Sequence, residues 1–232
     1  MKKYLILIVV IFTIFQKVDS KIIIVNNQSG STGNYKTLTD AVNAASVGDT
    51  IYLVGSSTSY GNATISKRLV IIGEGYKASE KDLGAPSSVG TITLDSTTTY
   101  PINGCVFKSL YFYRITYASG DANNIHNVTI DRCGSDYELH VSGSNWFIKN
   151  SIIDYIDVHN NSSIIVTNCI ITDRLINSNS PTALFVNNDF FNSYLESVYY
   201  GRFENNIFFN ENILGTLPNY CIFNNNLTFD NL

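Results

Sequence analysis

The side chains best equipped for chemistry in this 232-residue chain are few. Asp131, Arg132 and Lys149 form the sharpest group, with Arg114 a further cation upstream. A lysine amine can take a proton beside a carboxylate while a guanidinium neutralises that carboxylate. That is the elimination by which polymers of uronic acids are cleaved. The competing reading is a surface ion pair between Asp131 and Lys149, worth about 0–1 kcal/mol, and the residues by themselves favour it. Asp154, Asp157 and His159 offer a second set, since a glycoside hydrolase needs two carboxylates facing one cleft. Their close spacing reads more simply as a turn cluster. Asp131, Asp136 and Glu138 could give calcium its oxygens, but no spacing singles them out. His126, His140 and His159 are scattered and lack a Cys or His partner at ligand spacing, so the expectation is no bound metal and no cofactor. Calcium would enter only alongside lyase chemistry. No Ser-His-Asp arrangement or phosphate loop is evident. Tyr194, Tyr199, Tyr200 and Tyr220 suit stacking on sugar rings, or packing as wedges in a repeat's corner.

The elements that must position these groups come from a repeat. Phe-Ile-Lys-Asn-Ser-Ile-Ile at 147–153 returns as Ile-Val-Thr-Asn-Cys-Ile-Ile at 165–171. It returns again at 185–191, 203–209 and 223–229. The shared asparagines are Asn150, Asn168, Asn188, Asn206 and Asn226, at steps of 18, 20, 18 and 20. A steady period near ~19 signals a repeat architecture. Each repeat holds apolar runs rich in Ile, Val and Phe, separated by Asn, Ser, Asp and Gly, which are strand and turn compositions. Three short strands and their turns fill one coil, and stacked coils pair in parallel about 4.8 Å apart. The predicted fold is all-β, a right-handed single-stranded parallel β-helix whose asparagines stack in one ladder. Asn suits that role because it tolerates the left-handed conformation of a sharp corner. One irregularity stands out. Two residues before the Asn come Ile148, Val166 and Val186, but then Glu204 and Asn224. On this phase the outward residues before the ladder are Asp131, Lys149, Thr167, Asn187, Asn205 and Asn225.

The net charge is −4 and 15% of residues are charged, with no basic stripe, which argues against nucleic acid. Lys2 and Lys3 precede an apolar run over 4–15, and Val18, Asp19 and Ser20 supply a cleavage site. Residues 1–20 therefore read as a removable export signal, too short for the roughly 20 apolar residues that span a bilayer. The expected location is secreted or cell-surface, with no membrane attachment after cleavage, and the Lys-Lys start and Asn-rich body point to a bacterial source. Cys133 and Cys169 share a column with Ser151 between them, two coils or about 9–10 Å apart. A disulfide needs about 7 Å or less between Cα atoms, so the four cysteines are expected to be free and buried.

The mature domain spans 21–232. Leu38, Ala41, Val42 and Ala45 mark one face of a helix over 35–46, with Thr37 placed to cap it and Asp40 three residues on. This helix would cover the open end of the stack. A polar excursion follows at 76–89, and regular coils run from about 104 to 232. The last coil stops at Leu232 without an amphipathic cover. The expectation there is a truncated product, the front of a longer protein, or an end that packs on a partner or a second copy.

The stretch 35–51, Tyr-Lys-Thr-Leu-Thr-Asp-Ala-Val-Asn-Ala-Ala-Ser-Val-Gly-Asp-Thr-Ile, with Ile-Ile-Gly-Glu-Gly at 71–75, resembles the opening of secreted proteins of the pectate-lyase-like superfamily. The resemblance covers nearly all the mature chain. It implies the β-helix fold and a polysaccharide lying along an exposed face, but no single activity. The Asn-x-Asp, Asp-Asp and His-Gly signatures of its polygalacturonase branch are absent. The first expectation is a carbohydrate-binding or cell-surface protein, partnered by a polysaccharide or surface glycan. The alternatives are a uronate-polymer lyase using Lys149, Arg132 and Asp131, and a structural adhesin.

Overall fold

A computed structural model describes residues 20–75, 85–97, 102–118, 124–159, 163–177, 180, 182–209, 212–214 and 220–229. The expected export signal, apart from Ser20, and positions 76–84 of the polar excursion lie outside the described residues. The chain winds into a parallel β-solenoid, nearly all β, with one helix among the described residues. Ten parallel strands form one sheet, running in chain order from Ile22–Val25 to Cys221–Asn224. A second sheet of twelve strands takes the other two sides of each coil. It bends between them, where the register shifts between Ile153 and Tyr155. No helix among the described residues is long and apolar enough to cross a membrane.

Successive side chains point to opposite faces, so in Thr50–Leu53 and Trp146–Lys149 the apolar Ile51, Leu53, Trp146 and Ile148 go inside while Thr50, Tyr52, Phe147 and Lys149 face out. Parallel register then stacks like on like. Ile23, Ile51, Ile71, Phe107, Ile130, Ile148, Val166, Phe185 and Phe203 form one buried file. Ile115, Leu139, Ile156, Leu175 and Leu195 form another from the far side. Between them Phe190 and Phe208 stack at 4.7 Å.

The single file of Asn150, Asn168, Asn188, Asn206 and Asn226 does not form. Strand pairing sets Thr167 beside Val186, Val186 beside Glu204 and Glu204 beside Asn224. The corner column is therefore Ser109, Arg132, Asn150, Asn168, Asn187, Asn205 and Asn225, all left-handed at φ 53–55°. Asn188, Asn206 and Asn226 fall one place later, in an inward column shared with Cys133, Ser151 and Cys169. The cause is the doublets at 187–188, 205–206 and 225–226, where either asparagine can be matched to the single one at 150 or 168. A slip of one residue exchanges the two faces of a strand. Phe147 and Ile165 accordingly face outward, with Ile165 43% exposed, while Ile148 and Val166 are buried. The outward column ends in Val186, Glu204 and Asn224, not Asn187, Asn205 and Asn225, which also explains the irregularity at Glu204 and Asn224.

The inward amides still make a ladder. Asn188 accepts the Cys169 N–H at 2.9 Å, Asn206 accepts the Asn188 N–H at 2.8 Å, and Asn226 accepts the Asn206 N–H at 2.8 Å. Ser151 does the same for Cys133 at 3.1 Å. All four cysteines are free, with Cys105, Cys133 and Cys169 buried and Cys221 partly so. Burial pushes the Cys133 and Cys169 thiols up to about 12, so they stay protonated and inert.

The helix, Leu38–Ala44, buries Leu38, Ala41 and Val42 against the first coils, and Thr37 Oγ1 caps it by accepting the Asp40 N–H at 3.1 Å. Beneath it Asp49 is buried, accepting the Lys21 N–H at 2.9 Å and the Ser46 N–H at 2.7 Å. Burial raises its carboxyl, but those two N–H groups and the charges of Lys21 and Lys67 outweigh burial, so the net shift is downward. A carboxyl lowered by folding stabilises above its unfolded value, about 3.9, and loses that contribution as pH falls through the folded value. Asp49→Asn should therefore weaken the fold at neutral pH and flatten its acid dependence. Urea unfolding from about pH 7 down to about pH 2 checks this, and acid limbs that superimpose would refute it.

Candidate functional site

The outward face of the third side of each coil carries the densest chemistry. Two columns run along it. One is Arg114, Glu138, Tyr155, Arg174 and Tyr194, with Tyr155 beside Glu138 on one edge and beside Arg174 on the other. Its parallel neighbour sets His140 beside Asp157. These side chains reach outward because Leu139, Ile156 and Leu175 between them are buried.

Glu138 anchors the cluster. Its Oε2 meets Arg114 Nη2 at 2.5 Å, and its Oε1 meets His140 Nε2. Asp157 Oδ2 lies 3.5 Å from His140 Nε2 and 2.6 Å from His159 Nε2. The two imidazoles meet edge to face at 5.6 Å. Thr116 Oγ1 holds the other His140 nitrogen, Nδ1, at 3.1 Å. Burial lowers the His140 imidazole below its ordinary value; Glu138 and Asp157 act against that and Arg114 adds to it. Tyr155 is raised, by burial first and then by the charges of Asp157 and Glu138. Further along, Arg174 pairs with Glu196 at 3.0 Å and lies 5.5 Å over the Tyr155 ring.

Two features border the cluster. At the bend of the second sheet, Tyr113 and Tyr137 stack at 5.4 Å with both rings exposed, and the Arg114 guanidinium lies 5.9 Å over Tyr137. On the N-terminal side a cleft of about 350 Å³ is lined by Thr39, Asn43, Asn62, Thr64, Thr91 and Thr93. Thr91 and Thr93 pair directly with Arg114 and Thr116, so cleft and cluster share one face.

Arg114, Glu138, His140, Asp157 and His159 lie in this cluster, whereas the Asp131, Arg132 and Lys149 group falls elsewhere. Asp131 and Lys149 are neighbours in register, as expected, but on the ten-stranded sheet. Asp131 accepts from Asn150 Nδ2 at 3.0 Å, and the Lys149 ammonium lies 5.1 Å over the Phe147 ring. Arg132 occupies the left-handed corner. Arg114 stands on the other sheet, paired to Glu138, so the structure does not join it to Lys149. The calcium candidates also part: Asp131 bonds Asn150, Asp136 bonds Tyr111, and Glu138 takes Arg114 and His140. Asp154 accepts from Thr172 at 3.0 Å, apart from the Asp157–His159 pair. Tyr200 and Tyr220 stack at 5.2 Å, and Tyr199 is exposed.

The supposed scatter of the histidines is corrected. His140 and His159 lie one coil apart, and the register that sets His140 beside Asp157 brings His159, two residues on, to the same face. Their 19-residue separation matches the repeat, and that was the available signal.

No family model matches this chain, and no curated protein matches it either. The likeness of 35–51 and 71–75 to one superfamily thus rests on those residues and on the coiled architecture.

Proposed function

We propose that this chain is an exported glycan-binding protein, holding an extended oligosaccharide along the outer face of the third side of its coils. The observation that carries this reading is one continuous track. It starts in the Thr and Asn cleft, passes the exposed Tyr113–Tyr137 stack and Arg114, and ends at Arg174 and Glu196. Hydroxyls and amides match sugar hydroxyls, stacked tyrosines offer flat apolar faces, and arginine forks recognise carboxylates on acidic sugars. Coils repeat every ~4.8 Å, a spacing close to the length of one sugar unit, so successive units meet the side chains of successive coils.

A glycan array followed by calorimetry tests the reading. Replacing both rings, Tyr113→Ala with Tyr137→Ala, should weaken the best ligand by about tenfold or more, from about 1.4 kcal/mol of lost stacking. Exposed positions should leave the melting temperature nearly unchanged. Binding unaffected by the double variant would place the glycan elsewhere.

One observation favours a second reading, a uronate-polymer lyase. An arginine and an imidazole converge on Glu138 in the same face. Incubation with pectate or alginate, with and without calcium, would reveal an ultraviolet-absorbing unsaturated product. Its absence on every uronate polymer retires that reading.

A further inference from the structure

We propose that His140, Asp157 and His159 form a site for a divalent transition ion of the zinc type, independent of whether a glycan binds. One ligand atom from each residue lies within 4.8 Å of the others, so small side-chain rotations bring all three to metal distance, about 2.0–2.2 Å. The ion would occupy the space where His140 Nε2 and His159 Nε2 both turn to Asp157 Oδ2.

Three further features belong to a metal site rather than to a plain ion pair. The second ring nitrogen of His140 is held by Thr116 Oγ1 at 3.1 Å, which fixes the ring with Nε2 toward the cluster. Metal-bound imidazoles are held in this way through the nitrogen that does not ligate. Asp157 is 6% exposed, and its Oδ1 has no hydrogen-bond partner among the described residues. A buried carboxylate oxygen without a donor is costly, and a cation supplies what it lacks. Glu138 Oε1 already stands at His140 Nε2, close enough to serve as a fourth ligand or to hold an ion-bound water. Two imidazoles with carboxylate select zinc and its neighbours, whereas calcium and magnesium require a shell of oxygens. Because His140 belongs to the strand Glu138–Val141 and Asp157 to Ile152–Val158, the ion would also tie two successive coils together.

The test uses the tag-free full chain, stripped with a chelator and titrated with Zn²⁺ by calorimetry, and with Co²⁺ by absorption. One equivalent should bind, excess Ca²⁺ should not displace it, and Co²⁺ should show the intense bands of a four- or five-coordinate nitrogen–oxygen site. Thr116→Val should weaken binding by roughly 10- to 100-fold. His140→Ala and His159→Ala should each weaken it by more, while His126→Ala changes nothing. The cobalt spectrum is read on the unaltered protein, so the test survives if a variant misfolds. A spectrum of free hydrated Co²⁺, or zinc binding that persists in both histidine variants, overturns the proposal.

Discussion

Phe203→Ala should destabilise the protein by about 3–5 kcal/mol, the cost of emptying a large side chain from a core that cannot close over it. Phe203 is fully buried and lies face to face with Phe185 at 4.7 Å and Phe223 at 4.8 Å. It also meets Phe190 and Phe208 at an angle, both at 6.1 Å. Removing it leaves neighbours above, below and across without contact atoms, and each is held by its own coil, so collapse is blocked. Phe191→Ala is the control. Phe191 stacks on Phe209 at a similar 5.0 Å but is 46% exposed, and stacking at the surface adds about 0.5–1.5 kcal/mol. Urea unfolding of both variants separates burial from ring stacking. Equal losses would mean that the aromatic file, not the dry interior, holds the coils.

The second expected result distinguishes two adjacent asparagines. Asn206 is buried, with its Oδ1 accepting from Asn188 at 2.8 Å and its Nδ2 donating to the Phe185 carbonyl at 2.9 Å. Asn206→Ala strands a buried N–H and a buried C=O at once, a loss of about 2–4 kcal/mol. Asn205, its neighbour, is exposed and sits at φ 54°. Asn205→Ala should cost only about 1–2 kcal/mol, from the clash that L-residues meet in the left-handed region. Asn205→Gly should cost less still, because glycine has no such clash. If the two alanine variants unfold alike, the corner and inward columns have been wrongly separated.

These contrasts also show what was legible in the chain. The repeat, the parallel coils, the Thr37-capped helix and the free thiols followed from period, apolar alternation and spacing. The phase of the later coils did not, because Asn-Asn doublets satisfy corner and inward positions equally well by residue type. Only the backbone pairing of Val186 with Thr167 and Glu204 resolves them. The site was hidden for a related reason. Arg114, the Glu138–His140 pair and Asp157 come from three coils and gather only through a register outside the Asn repeat, whereas Asp131 and Lys149 sit beside the repeated Asn position, whose phase sets them on successive coils. Tyr113 and Tyr137 escaped because nothing in their flanks marks a bend where rings stay exposed.

The direction of the inward amide bonds has a consequence for biogenesis. Cys169, Asn188 and Asn206 each donate their N–H to a side chain 19, 18 and 20 residues further on. Each of these three inward positions is thus completed by the coil made after it. As the polypeptide emerges amino end first from a ribosome or a translocation channel, the newest coil keeps an unmet donor until its successor arrives. Growth of the native stack therefore trails synthesis by one turn, and a pause within a coil leaves only that coil's rim open.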